Sequence, residues 1–210
     1  MTKLEVKILF SLESPFHISA DRLAFGIDNA ICLDVISRFK EKPIIPATSF
    51  KGILRHNIET VLNSKEKFGC ISPKPEEMCN ECIICKNFGS PKNKALLMFE
   101  DISIEDGEIN KRIGTAIERR RKITKEKQLF TYQTGFGKVS IAKIKGIFEN
   151  ENDALTACAL LYIGIKVGFS LGHGKSRGLG WIKLKTFEAK IDNIKKNLEQ
   201  IKDKIKEILK

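Results

Sequence analysis

The stretch "GFGKVSIAKIKGIFENENDALTACALLYIGIKVG", residues 135–168, decides the fold. Its first half alternates, with Ala142 and Ile144 set between Lys143 and Lys145. That period of two is the pattern of a half-buried strand. Its second half, from Asn152 onward, is apolar nearly all round and predicts a helix buried on almost every side. Downstream, a glycine-rich loop at 168–181 leads into "GWIKLKTFEAKI", a further strand. Upstream, "KLEVKILFSLES" opens the chain as a strand, with Leu4, Val6 and Ile8 alternating with polar neighbours. A helix follows in "IIPATSFKGILRHNIETVLNSKEK", started by Pro46 and Thr48-Ser49, with Phe50, Ile53, Leu54, Ile58, Val61 and Leu62 as its stripe. "ALLMFEDISIED" supplies the second strand. The order is β-α-β-β-α-β plus a tail helix whose stripe is Ile194, Leu198, Ile201, Ile205 and Ile208. This predicts an α+β fold of the ferredoxin-like or RRM-like split βαβ type. One domain spans 1–210, interrupted by a Cys-rich insertion at 68–94 and a basic excursion at 110–135.

Charge narrows the partners. The chain has 37 Lys+Arg against 26 Asp+Glu, a net charge of +11. A globular chain this basic points to a polyanion, nucleic acid before other partners. The N-terminus lacks the long apolar core of a signal peptide. The most apolar run, 154–165, is too short to span a bilayer and ends at Lys166. The expectation is a cytoplasmic protein without membrane contact. Its six cysteines then point to metal rather than disulfides.

The loop "GFSLGHGKSRGLGW" carries phosphate chemistry without matching a nucleotide-cofactor motif. A P-loop ending in Gly174-Lys175-Ser176 needs glycine at 169, which is Phe169. A dinucleotide fingerprint from Gly172 and Gly174 needs glycine at 177, which is Arg177. What remains is a set of glycines that lets backbone N–H groups approach a ligand, beside the planar donor fork of Arg177. On residues alone the loop reads equally as a phosphate cradle or a tight helix-to-strand turn. In the first helix, Thr48 and Ser49 can cap an N-terminus that attracts phosphate. Lys51 and Arg55 stand at i and i+4 beside it. Cys79, Cys82 and Cys85 follow the spacing C-x-x-C-x-x-C, with Cys70 upstream. Four thiolates suit a tetrahedral zinc site, and an iron–sulfur cluster is the rival. Cys32 and Cys158 lie in apolar surroundings and read as core residues.

"LGHGKSRGLGWIKL" resembles the glycine-rich signature of the RAMP superfamily, the repeat-associated proteins of CRISPR systems. "PIIPATSFKGILRHNIE" resembles the helix signature of one branch, the repeated backbone subunit of type III CRISPR effector complexes, with Ala47 where glycine is commoner. "CNECIICKNFG" is similar to a run in the same subunits, where it resembles a structural zinc site. The resemblance implies that Gly172, Gly174, Lys175, Ser176 and Arg177 contact the guide RNA backbone, with Ser49, Lys51 and Arg55 beside them. It implies zinc held by Cys70, Cys79, Cys82 and Cys85. Asp28 in "AFGIDNAICLD" matches the family aspartate that cuts target RNA, with Mg or Mn as the expected ion. His17 matches a family histidine that positions or contacts RNA, and Asp34 a structural acidic position. His56 and His173 have ordinary readings as helix-surface and loop residues. "IERRRK" resembles the start of the family's thumb hairpin, with Arg119, Arg120 and Arg121 on RNA. Leu129 and Phe130 would form its apolar wedge. Glu118 stands where Asp is usual, and Gln133 where Glu is usual. The implied partners are the CRISPR guide RNA, its complementary target RNA, other copies of the chain and other type III subunits. Two rival expectations stay open: a non-catalytic RNA-binding scaffold, and a RAMP endonuclease that processes precursor CRISPR RNA without metal.

Overall fold

The computed structural model describes residues 1–34, 41–65, 74–104, 106–168 and 170–210. The opening alternation becomes β1 (Thr2–Leu12), whose Leu4, Val6, Ile8 and Phe10 are all buried. A loop then runs to β2 (Ile44–Ile45) and α1 (Ala47–Asn63). Within the insertion lies α2 (Ile83–Phe88). Next come β3 (Leu97–Phe99) and β4 (Ile102–Ser103). The basic excursion is a long hairpin of β5 (Glu108–Ile117) and β6 (Thr124–Phe136). The deciding stretch folds as β7 (Val139–Phe148) and α3 (Glu151–Val167). The chain closes with β8 (Ile182–Ile191), β9 (Ile194–Lys195) and α4 (Leu198–Leu209).

The main sheet has the order β3-β7-β1-β8-β9, and every neighbouring pair is antiparallel. The fold is therefore mixed α+β. The register Val6↔Ile144 and Ile8↔Ala142 puts apolar residues of β1 and β7 on one face. There they meet α1 and α3, and the Phe10 ring stacks on Phe50 of α1 at 5.7 Å. The other face is open and carries exposed Lys3, Lys7, Lys143, Lys145, Lys183 and Lys190. Asn150 caps α3 by accepting the Asp153 N–H at 2.8 Å, as the polar "NEND" run allows. Gly164 sits mid-helix, where glycine costs about 1 kcal/mol relative to alanine. The cost is offset by close packing: a Cβ there would lie 3.1 Å from both the Leu54 carbonyl and the Ile58 side chain.

Two local expectations need correction. Pro46 is the N-cap of α1, and neither Thr48 nor Ser49 caps it. Instead the Asp101 carboxylate accepts the Ala47 N–H at 2.7 Å. A fixed carboxylate already complements that end of the helix, so Ser49 lies inside the first turn. Ile194 does not extend the tail stripe. It pairs with Ile191 across a turn where Asp192 and Asn193 both take positive φ, and it is exposed. The helix starts after Asn197, whose N–H donates to Gln200 Oε1 while its own side chain caps the first turn. The tail packs against α3 rather than the sheet, with Ile201 buried and Lys204 Nζ donating to Asn152 at 2.7 Å. No helix among the described residues is long and apolar enough to cross a membrane.

Candidate functional site

Three segments distant in sequence converge at one end of β1. The chain after β1 passes Pro15, Phe16 and His17. The base of β6 lies against it, with Phe16 and Gly135 exchanging backbone hydrogen bonds of 2.8 and 2.9 Å. The glycine loop closes from the other side, where Gly180 N–H donates to the Pro15 carbonyl at 2.8 Å and His173 N–H to the His17 carbonyl at 2.7 Å. Gly180 has φ +73°, and a Cβ there would overlap the Leu171 carbonyl. Only glycine meets both demands. The loop is thus a shaped element bonded to the segment that follows β1, and also a helix-to-strand turn. Its Lys175, Ser176 and Arg177 side chains are exposed.

Between the three segments lies a cleft of about 250 Å³ lined by His17, Asn29, Phe130, Tyr132, His173, Arg177 and Leu179. His17 is buried, and its Nδ1 lies 2.6 Å from the Gln133 carbonyl. A carbonyl only accepts, so Nδ1 carries the proton. In the neutral ring Nε2 is then the acceptor for the Ser19 hydroxyl at 3.0 Å. The ring is pinned edge-on to Tyr132 and to His173, at centroid distances of 5.7 and 6.3 Å. Tyr132 in turn stacks with Phe130. Gln133, the departure from the usual Glu, is buried. Its Oε1 accepts from Arg22 Nη2 at 2.8 Å and from the Ile31 N–H at 3.3 Å, tying the first loop to the hairpin.

Asp28 sits at the rim. Its N–H donates to the Thr131 carbonyl at 2.9 Å, and its Oδ2 accepts from Thr131 N–H at 2.6 Å and Thr131 Oγ1 at 3.2 Å. Residues 28–29 therefore run along β6 and leave the Asp28 side chain exposed next to cleft-lining Asn29. The expected residues divide into groups. His17, Asp28, Gly172, Gly174, Lys175, Ser176 and Arg177 gather at or around the cleft. Arg119, Arg120 and Arg121 are exposed at the hairpin tip, roughly 25 Å of strand away from Tyr132 at 3.3 Å per residue. Ser49, Lys51 and Arg55 line no part of the cleft.

Arg55 faces inward. It pairs with the buried Glu59 at 2.8 Å, donates to the Gly89 carbonyl at 2.6 Å, and points Nη2 at Cys85 Sγ at 3.8 Å. It thus joins α1 to the Cys-rich insertion. Burial and the Arg55 charge together lower the Lys51 pKa. The Sγ atoms of Cys79, Cys82 and Cys85 lie within 4.8 Å of one another. Cys82 N–H points at Cys79 Sγ, and Cys85 N–H at Cys82 Sγ. Converging sulfurs with amide donors fit a thiolate-bound metal, and three ligands are in place. Cys70 lies outside the described residues. The insertion is not free-standing, because Ile84 and Phe88 of α2 enter the main core. A larger groove of about 600 Å³ near Met1, Ile83 and Phe148 holds none of the expected residues.

Sequence alone assigned His173 only an ordinary loop reading and no role to Asn29 and Tyr132, although His173 lies inside the glycine loop and Asn29 follows Asp28 directly. Their only signal is proximity to segments already under suspicion.

The model of the RAMP superfamily matches residues 9–183. The chain belongs to the RAMP superfamily. The match begins in β1 and ends in β8, so it includes every segment that forms the cleft. No curated protein matches the chain. Among solved structures, the chain resembles one in the "Cryo-EM structure of the Type III-B Cmr-beta bound to cognate target RNA", with a TM-score of 0.62 and 17% identity. That alignment covers 90% of this RAMP chain and 61% of the other. The chain thus spans about three fifths of its neighbour's length.

Proposed function

We propose that this chain is an RNA-binding backbone subunit of a type III CRISPR effector, with its RNA path across the cleft end of the sheet. RAMP membership and the fold shared with a chain of a Cmr complex bound to target RNA support this reading. So does the sheet order, which we read as a split βαβ unit of ferredoxin-like or RRM-like type. The observation that carries it is the hydrogen-bonded junction of first loop, hairpin base and glycine loop, which puts Arg177, two histidines and two aromatic rings at one cleft. Guide and target RNA, further copies of the chain and other effector subunits are the partners this reading requires. Zinc on Cys79, Cys82 and Cys85, completed by Cys70, would brace the insertion.

The catalytic part of the proposal rests on Asp28. One carboxylate oxygen is held by Thr131, and no hydrogen bond among the described residues engages Oδ1. A carboxylate so anchored can hold a divalent ion or orient a 2′-OH toward the neighbouring phosphate. The same anchoring favours a second reading, a scaffold copy in which Asp28 only ties the loop to β6. Target cleavage by the assembled complex separates the two, with wild type and Asp28→Ala compared at equal guide loading in Mg²⁺ or Mn²⁺. Regularly spaced cuts that vanish in the variant establish the nuclease. Cuts that persist, or bound target that neither protein cuts, leave the scaffold.

A further inference from the structure

We infer that the open face of the main sheet is a docking surface for a protein partner, one that lays an acidic, amphipathic helix along β7 and β1. Such a partner goes beyond the RNA-binding reading, because the face contributes nothing to the cleft lining and its occupation needs no RNA. An antiparallel sheet with one face in solvent normally turns polar side chains to the water. Here the alternation of β7 brings out Val139, Ile141 and Ile147, each about half exposed, while Ser140, Ala142 and Ile144 go to the core. Leu9 of β1 stands opposite Ile141, so the apolar ridge spreads over two strands. At the glycine-loop end, Trp181 is half exposed just before buried Ile182, and its carbonyl accepts the Glu13 N–H beyond the end of β1. From Val139 to Ile147 the ridge runs about 26 Å at 3.3 Å per residue, the length of about five turns of helix.

Lysines frame the ridge. Lys7 and Lys143 stand directly opposite each other on β1 and β7, a like-charge pair that disfavours the bare sheet and that a carboxylate would relieve. Lys3, Lys183 and Lys190 are exposed on the same three strands. None of these five makes an ion pair among the described residues. The other charges are already matched in part: Lys145 bonds Glu100 at 2.8 Å, and Glu188, opposite Lys7 on β8, bonds Lys195 at 3.3 Å. An apolar ridge between free cations is the complement of a helix with an apolar stripe and carboxylates on its flanks. The same face suits RNA poorly. Sheets that read RNA stack its bases on aromatic side chains of their strands. The exposed side chains of β1 and β7 are only lysine, glutamate and aliphatic residues.

The test titrates the full-length protein with synthetic helical peptides of about five turns. The first carries a leucine stripe at i, i+3 and i+7 flanked by glutamates. A second has the same composition with the stripe scrambled, and a third has lysine in place of glutamate. Peptide anisotropy gives affinity. Trp181 is the chain's one tryptophan, so its emission reports whether the face is covered. Only the first peptide should bind, with a blue shift of that emission. Lys7→Glu with Lys143→Glu should weaken its binding about tenfold, since like charges then meet across the contact. Lys202→Glu with Lys210→Glu makes the same change in net charge at exposed positions on and just after α4, and should leave binding intact. Equal loss in both double variants would mean that the peptide follows net charge alone, and equal binding of the scrambled peptide would remove the ridge. Either result overturns the proposal, as does binding without a change in Trp181 emission, or no binding. Oligouridylate that displaces the peptide, and itself binds more weakly to the Lys7 and Lys143 variant, would give the face to nucleic acid instead. Absence of RNA binding by the wild-type protein would overturn the RNA reading and leave the docking face standing.

Discussion

Arg55 shows how a residue's neighbours decide its role. Sequence puts it four residues after Lys51 on a basic helix face. The structure turns it inward to Glu59, with the two side chains only 12% and 5% exposed. A buried carboxylate that loses its cation is left uncompensated, at a cost of about 3–5 kcal/mol. Arg55→Met should therefore lower unfolding free energy by about 3 kcal/mol in denaturant titrations. Arg55→Met with Glu59→Leu should recover most of it. A single variant as stable as wild type would show that the pair contributes nothing and would return Arg55 to the pool of free cations. Asp28 has the opposite geometry: its exposed carboxylate is held at one oxygen, so its substitution should affect chemistry more than folding.

At the scale of elements, the hairpin and the Cys-rich insertion have separate jobs. The hairpin projects a tip of three arginines flanked by exposed Ile117 and Ile123, with Ile113 and Leu129 exposed along its length. If the tip neutralises RNA phosphates, Arg120→Glu with Arg121→Glu should weaken RNA binding and flatten its salt dependence. Each phosphate contact removed takes about 0.7 off the slope of log K against log salt for a single strand. An unchanged slope in titrations from low to moderate salt would take the tip off the RNA path. The insertion contributes Ile84 and Phe88 to the core but otherwise hangs on Arg55, Gly89 and the sulfurs. Metal removal should loosen it while the sheet stays folded. Hydrogen exchange after chelation should rise across 79–89 and stay low in β1 and β7. Uniform protection with and without chelator would argue against a structural metal.

The whole molecule behaves as one core, and Cys158 reports on it. Burial in α3 raises its thiol pKa from 9.0 to about 12, opposed by the charge of Lys196. The folded state thus holds its proton where the unfolded chain has released it. Below pH 9 the group costs nothing; from about pH 9 to 12 stability falls as pH rises, because the unfolded state binds fewer protons. Three units correspond to about 4 kcal/mol. Melting curves for wild type and Cys158→Ala should differ in slope over that window, with the variant losing less. Parallel curves would mean the thiol is not sealed in. The net charge of +11 also acts at this scale, as a positive field that would steer a bound polyanion such as the proposed RNA partner.

Local pattern was enough for β1, α1, β7, α3 and β8, but not for the split of 95–106 into β3 and β4 in separate sheets. Alternation of Leu4, Val6 and Ile8, the apolar run of α3 and the glycine punctuation at 168–180 depend on neighbours along the chain, and those interactions are encoded where they act. The same holds for the cysteine triplet, since C-x-x-C spacing already limits where sulfurs can converge. Register, side-chain direction and assembly of the cleft depend on partners that only the fold brings together, more than a hundred residues apart in the case of His17 and Gln133. His17 meets Gln133 and His173 in a fold where β1 is paired with both β7 and β8. Arg55 turned from surface to core because Glu59 and Gly89 were there to receive it. Asp101, from a separate strand connection, took the helix end that Ser49 had been expected to cap. Residue types and spacing specified which groups were available; packing decided which of them would meet.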